Sequence, residues 1–388
     1  MAPDRPGSVL LVAPQAPPAV GGVERHVGEV ARGLLERGVR VSLAACDPAL
    51  RQPTCEREDG VLVHRFPTVG HDGVFFVSPS LARWLWASAG EFDVVHGHSY
   101  HTPVALSAWL AARRAQRPFV FTPHYHGTGH SLLRRALHVP YRPFGAAMVR
   151  GARSIIAVSS AEASHLRRDF GAGLPISVIP NGIDVDAIRA AQPFSALDRR
   201  RLVLVAGRLE PYKQVDRVVA AMAGLQATHR LAVIGDGPAR KDLERLVAAL
   251  DLERDVTFLG ALPRNQVLHW LRTADVLVSM SRHEAFGMVA LEGAVAGAAV
   301  IASAIPAHLE LQEMAPAGRL MTVPADVDPA VLATAIAGAA GRESAPSMLE
   351  RVPTWPTVVD ATLGVYQAAL DDARSHRRAR VRGAREAA

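Results

Sequence analysis

Short apolar runs recur along the chain at 9–13, 39–44, 61–66, 93–96, 119–122, 154–158 and 176–179, and longer stretches with helical spacing separate them. Such near-continuous apolar runs suit strands buried on both faces, so the alternation predicts a parallel sheet covered by helices on both sides. The pattern then starts again: runs at 202–206, 231–234, 256–259, 275–279, 300–302 and 320–323 predict a second sheet of the same class. Between the two lies I-P-N-G-I-D-V-D-A-I-R-A-A-Q-P-F, where Pro180, Asn181 and Gly182 mark a turn and the remainder reads as a linker. The boundary is therefore expected near residue 190, giving doubly wound α/β domains over 1–190 and 191–354 with a ligand cleft at the carboxyl ends of their strands. Further on, Trp355, Val359, Leu363 and Tyr366 share one helical face, which predicts a helix over about 355–372 able to pack across both domains. The segment 373–388 is rich in arginine, lacks an apolar face and is expected to be a disordered basic tail.

Composition agrees with this plan. A chain of 388 residues accommodates two domains at roughly 150 residues each, and 49% apolar residues supply two cores. No apolar run reaches the roughly 18 residues that span a bilayer, and M-A-P-D-R-P-G leads straight into the first strand with no secretory segment, so a cytoplasmic location is expected. Cys46 and Cys55 fit neither a zinc knuckle nor a disulfide framework. The net charge of +6 matters mainly through its placement: 94–161 contains no Asp or Glu but holds Arg113, Arg114, Arg117, Arg134, Arg135, Arg142, Arg150 and Arg153. An acceptor phosphate, the inner face of a membrane or plain solvent would all suit such a run. Nucleic acid is disfavoured, because no binding module or interleaved aromatic residues accompany it.

The chemistry concentrates in S-R-H-E-A-F-G-M-V-A-L-E-G-A-V-A-G, 281–297, which holds Glu284 and Glu292 across a loop-to-helix junction. A helix is predicted over 287–296, closing at Gly297. Its first amides, around Phe286, Gly287 and Met288, would face an anion, and Glu292 further in would accept from paired hydroxyls such as those of a ribose. Two acids on a solvated helix end would share that spacing. After the first strand, Gly21 and Gly22 precede a helix and let the backbone approach a phosphate or sugar, although the spacing is not G-x-G-x-x-G. Arg208 and Lys213 follow the first strand of the second half, where two cations suit a diphosphate. Loops at Gly235, Asp236 and Gly237 and at 258–260, continuing to Leu262, offer backbone groups to a nucleobase.

Five histidines, His96, His98, His101, His124 and His126, lie at two neighbouring strand ends. No acid or thiol joins them and no H-x3-H pair lies on a helix, so a polar acceptor pocket is expected rather than zinc, with His124 bonding the reacting sugar. The pairs Asp184/Asp186 and Asp326/Asp328 fall in the linker and in a peripheral loop, and neither is read as a metal site.

Taken in order, G-G-V-E-R-H, T-P-H, P-N-G-I-D, G-R-L-E-P-Y-K, G-D-G-P, F-L-G and the E-x7-E of Glu284 and Glu292 resemble the retaining glycosyltransferases of family 4. That resemblance covers nearly the whole chain. It implies the GT-B fold: two Rossmann-like domains facing a cleft, with a C-terminal helix crossing back to the N-terminal one. It implies transfer of a hexose-type sugar from a UDP- or GDP-linked donor to a hydroxyl acceptor, with no cofactor and no metal. In those terms Arg208 and Lys213 bind the diphosphate, Glu292 the ribose, Glu284 the sugar at the reacting centre, Gly22 the phosphate or sugar, and His124 the sugar. Met280-Ser281 replaces the frequent Pro-Ser, and Ala304-Ile305-Pro306 replaces a Gly-Gly whose backbone contacts donor or acceptor. The alternatives left open are a sugar-nucleotide epimerase or hydrolase of the same shape, and a non-catalytic protein that binds anionic membranes.

Overall fold

The computed structural model describes residues 6–19, 21–69, 76–125, 132–195, 199–339 and 349–386. It divides into two compact units, 1–181 with 355–388 and 182–354. In chain order the first unit contains β1 (Ser8–Ala13), α1 (Gly22–Glu36), β2 (Arg40–Cys46), β3 (Thr54–Glu58), β4 (Val61–Phe66), α2 (Pro79–Ser88), β5 (Val94–His98), α3 (Pro103–Arg114), β6 (Phe119–Thr122), α4 (Leu132–Gly151), β7 (Ser154–Ala157), α5 (Ser160–Phe170) and β8 (Ile176–Val178). The second contains α6 (Val185–Ala190), β9 (Arg201–Ala206), α7 (Val215–Met222), β10 (His229–Ile234), α8 (Arg240–Ala249), β11 (Val256–Gly260), α9 (Arg264–Thr273), β12 (Val276–Ser279), α10 (Met288–Ala296), β13 (Ala299–Ser303), α11 (Pro306–Met314), β14 (Leu320–Val323) and α12 (Pro329–Gly338). The chain then returns to the first unit as α13 (Trp355–Glu386).

The first sheet has the order β3-β4-β2-β1-β5-β6-β7-β8 and the second β11-β10-β9-β12-β13-β14. Every pairing is parallel except that of β3 with β4. The central strands are apolar throughout because helices cover both faces: every residue of β1 is buried, as is the middle of β9. Each sheet reverses its winding once. β1 lies between β2 and β5, and β9 between β10 and β12, so the crevices at the carboxyl ends of these pairs are the topological switch points where such sheets take ligands.

Three expectations change. Strand β3 was not legible, because T-C-E-R-E is polar and largely exposed; it pairs antiparallel at the sheet edge, where its charges cover unpaired backbone. The compact units part at Asn181 and Gly182, ahead of residue 190, because Ile188 of α6 is buried and its helix packs on α9 and α10. The backbone of 373–386 continues α13 as helix: it contains no proline, and its alanines and arginines are good helix formers.

Helix α13 is tied to the first unit at several points. Tyr366 Oη and His96 Nδ1 lie 2.7 Å apart, Arg37 donates to Asp360 (2.5 Å) and to the Pro356 carbonyl (2.8 Å), and Arg153 pairs with Asp372. Val359 packs so closely on Gly33 of α1 that a Cβ there would lie 2.6 Å from its Cγ2. The chain enters and leaves the second unit side by side: Ile183 and Thr354 form a parallel bridge, and Ile183 N donates to Pro353 O at 2.8 Å.

Candidate active site

In the second unit the switch point between β9 and β12 gathers most of the expected donor residues. After β9 the chain passes Gly207 and Arg208 into a single 3-10 turn, Pro211–Lys213, closed by Lys213 N donating to Glu210 O (2.9 Å). That turn points Lys213 at Glu284, whose Oε1 it bonds; Ser281 Oγ donates to the same oxygen at 2.8 Å. Burial disfavours both charges, but each partner outweighs it for the other: the Lys213 ammonium is held above, and the Glu284 carboxyl below, its ordinary range. Lys213 is thus a cation with two further N–H groups to give. Arg208 is largely exposed, with Nε 3.2 Å from Glu210 Oε1.

Helix α10 begins at Met288, behind a left-handed Gly287 (φ 95°), and ends at a left-handed Gly297 (φ 96°). Only glycine suits position 287, because a Cβ would also press on His308 and Leu311 at 3.1 Å. Phe286, buried, anchors the approach; Ala290 N donates back to Gly287 O at 3.1 Å, and the amides ahead of it leave the helix end next to Glu284 favourable to an anion. One turn in, Glu292 is fully buried and accepts two hydrogen bonds from Arg264 of α9, from Nη1 at 3.0 Å and from Nη2. A carboxylate has about four lone-pair sites, more than a bidentate arginine pair fills.

Three strand-end loops interlock around this corner. Gly207 N donates to Ile234 O (3.0 Å), Leu209 N to Asp236 O (2.9 Å) and Gly235 N to Gly260 O (2.7 Å). Gly235 has φ 122°, and a Cβ there would lie 2.0 Å from Gly207 O, so this glycine permits the close approach that places Arg208. Leu262 follows Gly260 in the loop entering α9.

The first unit places Gly21 as the N-cap of α1 with Gly22 as its first residue. The histidines separate by role. His96 is fully buried with both nitrogens engaged, Nδ1 by Tyr366 and Nε2 by Thr122 Oγ1 (2.8 Å), so it ties strands to α13 rather than lining a pocket. His98 is also fully buried, and His101 is partly buried with its ring stacked on Tyr125. His126 lies outside the described residues. His124, two residues past β6, adopts a left-handed φ of 48°, strain on the order of 1 kcal/mol for a residue with a Cβ.

His26 of α1 was not singled out, although it stands in G-G-V-E-R-H: its Nδ1 is 2.8 Å from Asn181 Oδ1 and its ring lies 5.2 Å from that of His124. His26, His98 and His124 bring ligand atoms within 4.8 Å of one another. Among the described residues no carboxylate or thiol is grouped with these three buried imidazoles. Burial lowers His26 to about 4 and drives His96 and His98 well below the ordinary range.

Arg264 and His308 were likewise missed, since neither lies in a motif with a chemical spacing. His308 is buried beside Gly287, with Nδ1 3.0 Å from Ser303 O, while Ser303 Oγ donates to Ser281 O at 2.5 Å. This pair flanks Ala304-Ile305-Pro306, which replaces the frequent Gly-Gly, and supports the segment carrying Ser281 and Glu284. Asp184 and Asp328, from the two D-x-D sequences, act as N-caps of α6 and α12.

Two doubly wound units, the second with a lysine–glutamate pair beside the amino end of α10 at its switch point, have the GT-B architecture of glycosyltransferases. Residues 20–187 match the family described as Glycosyltransferase Family 4, and residues 188–339 match Glycosyl transferases group 1. The chain is 30% identical to the glycogen synthase of Mycobacterium tuberculosis over 93% of its own length and 94% of that protein. It is 29% identical to a D-inositol 3-phosphate glycosyltransferase of Streptomyces scabiei, covering 94% and 89%. HepE of Anabaena, solved with UDP and glucose, superposes with a TM-score of 0.66 at 19% identity, over 96% of this chain and 99% of that one. This chain belongs to glycosyltransferase family 4. No helix among the described residues is long and apolar enough to cross a membrane.

Proposed function

We propose that the protein transfers a hexose-type sugar, with retention of anomeric configuration, from a UDP- or GDP-linked donor to a hydroxyl acceptor. The observation that carries this reading is the Lys213–Glu284 pair at the amino end of α10, with Arg208 on the same loop as Lys213. Lys213, Arg208 and the first amides of α10 hold the diphosphate and stabilise the charge that develops as it leaves. Glu284 orients the sugar while it limits the Lys213 ammonium to the side facing the phosphate. Glu292 accepts from the ribose, sharing its oxygens with Arg264. From the first unit, Gly22 approaches the phosphate or sugar and His124 bonds the sugar.

The bond from the anomeric carbon to the phosphate oxygen breaks, and the acceptor oxygen bonds to the same face of that carbon. The acceptor's proton passes to the leaving phosphate oxygen, so charge and atoms balance without a metal ion. Support for a nucleotide-sugar donor comes from HepE, a solved relative in fold that holds UDP and glucose. The acceptor is a hydroxyl compound; a phosphorylated acceptor or a lipid headgroup would suit the arginine-rich 94–161 region, with peripheral contact at the inner face of a membrane.

Release of nucleoside diphosphate from UDP-glucose and GDP-mannose, with anomeric product analysis by NMR, tests this. Lys213→Ala should lower kcat about 100-fold or more, the usual scale for one charge-stabilising group. Turnover within a few-fold of wild type in both Lys213→Ala and Arg208→Ala would sink the assignment. Equal donor consumption with and without acceptors would favour the hydrolase or epimerase reading.

A further inference from the structure

We propose that Glu162 is a positioning residue for His124, holding the peptide that follows it and so setting the imidazole at the carboxyl end of β6. The inference rests on the reading that His124 bonds the sugar.

Glu162 is 1% exposed, and no lysine or arginine pairs with it among the described residues. Its two oxygens instead take two backbone amides from separate segments: Tyr125 N donates to Oε1 at 2.5 Å and Val158 N donates to Oε2 at 2.6 Å. Ser159 and Glu162 have the sequence of a capping box, and Ser159 Oγ does accept from Glu162 N at 3.0 Å. In an ordinary box the glutamate reaches back to the N-cap amide of its own helix. Here one oxygen crosses to another strand end, 37 positions away in sequence. Local capping does not account for that contact.

The amide it captures belongs to the residue after His124. His124 carries a positive φ of 48°, a conformation that persists in a residue with a Cβ only where the surroundings hold it. The hold is doubled on the same helix: Tyr125 Oη donates to Asp169 Oδ2 at 2.8 Å. On the other side of His124, Tyr100 N donates to Pro123 O at 2.8 Å. Both peptides flanking His124 are therefore fixed, one by β5's following loop and one by α5. Burial pushes the Glu162 carboxyl up to about 8 even though both amides favour the carboxylate, a cost that only a specific arrangement at this position would retain.

The test is a double-mutant cycle of Glu162→Gln and His124→Ala, with kcat and donor KM measured by nucleoside diphosphate release from UDP-glucose and GDP-mannose. The amide of Gln keeps one acceptor and turns an N–H toward a backbone N–H. Glu162→Gln should lower kcat about tenfold with donor KM within about threefold, and should cost nothing further in the His124→Ala background. An equal loss in both backgrounds overturns the proposal, because Glu162 then acts independently of His124. If His124→Ala is impaired and Glu162→Gln is not, the inference alone fails; if His124→Ala is fully active, the role of His124 fails and takes the inference with it. Should Glu162→Gln not fold, hydrogen exchange of the wild-type protein decides: a Tyr125 amide exchanging at the rate of an open loop overturns the proposal, and strong protection supports it.

Discussion

Glu284 and Glu292 have the same side chain but are held differently, and their substitutions should differ accordingly. Glu284 shares one oxygen between Lys213 and Ser281 at the mouth of α10, whereas Glu292 is fully buried against Arg264. Glu284→Gln removes the charge that opposes Lys213 and should mainly lower kcat. Glu292→Gln should mainly raise donor KM, about tenfold for one good charged hydrogen bond, and steady-state kinetics with varied donor separate the two. Arg264→Gln leaves Glu292 without its cation and should also act on donor KM. A pure kcat effect from Arg264→Gln would contradict its assignment to the ribose side.

Elements decide where these side chains arrive. The Gly235 backbone lies against Gly207 so closely that an added Cβ would meet a carbonyl oxygen rather than a yielding side chain. Gly235→Ala should therefore destabilise the second unit by about 2 kcal/mol or more in urea unfolding and displace the loop bearing Arg208. Gly38, also at positive φ but with nothing near its Cβ, is the control: Gly38→Asn should be close to neutral, because asparagine tolerates the left-handed region. Helix α10 was legible to within a residue, since Gly287 and Gly297 bracket an unbroken apolar stretch. Strand β3 was not, because an exposed edge strand carries no alternation to read.

For the whole molecule, the buried histidines of the first unit set the response to acid. His26 is lowered to about 4, and His96 and His98 lie well below the ordinary 6.5. Between 6.5 and 4 the unfolded chain binds protons that the folded chain refuses, so stability is full above 6.5 and falls as pH drops through that window. Each such histidine contributes a slope on the order of 1 kcal/mol per pH unit. Thermal melts should show Tm falling steeply from pH 6.5 to 5, and His96→Gln should flatten the slope; an unchanged slope would remove His96 from the account. Glu162 acts in the opposite sense, since between 4.5 and 8 the folded chain keeps a proton that the unfolded chain releases. Helix α13 matters at this scale too, because Tyr366 buries its hydroxyl on His96. Tyr366→Phe should cost about 1–3 kcal/mol by leaving that nitrogen unsatisfied, measured by denaturant unfolding.

Local pattern alone settled the two parallel sheets, the start of α10 and the order of the family 4 motifs. Strand and helix periods, glycine punctuation and charge at strand ends are properties of neighbouring residues, so they survive without a fold. Partnerships were decided only in three dimensions. Arg264 reaches Glu292 across 28 positions, His26 meets Asn181 across 155, and Glu162 crosses 37 to hold the peptide after His124. His96, one of the five histidines at two neighbouring strand ends, becomes a strut because a helix 270 residues later brings Tyr366 to it. Burial and pairing between distant segments arise from packing, and that is where the roles of like residues diverge.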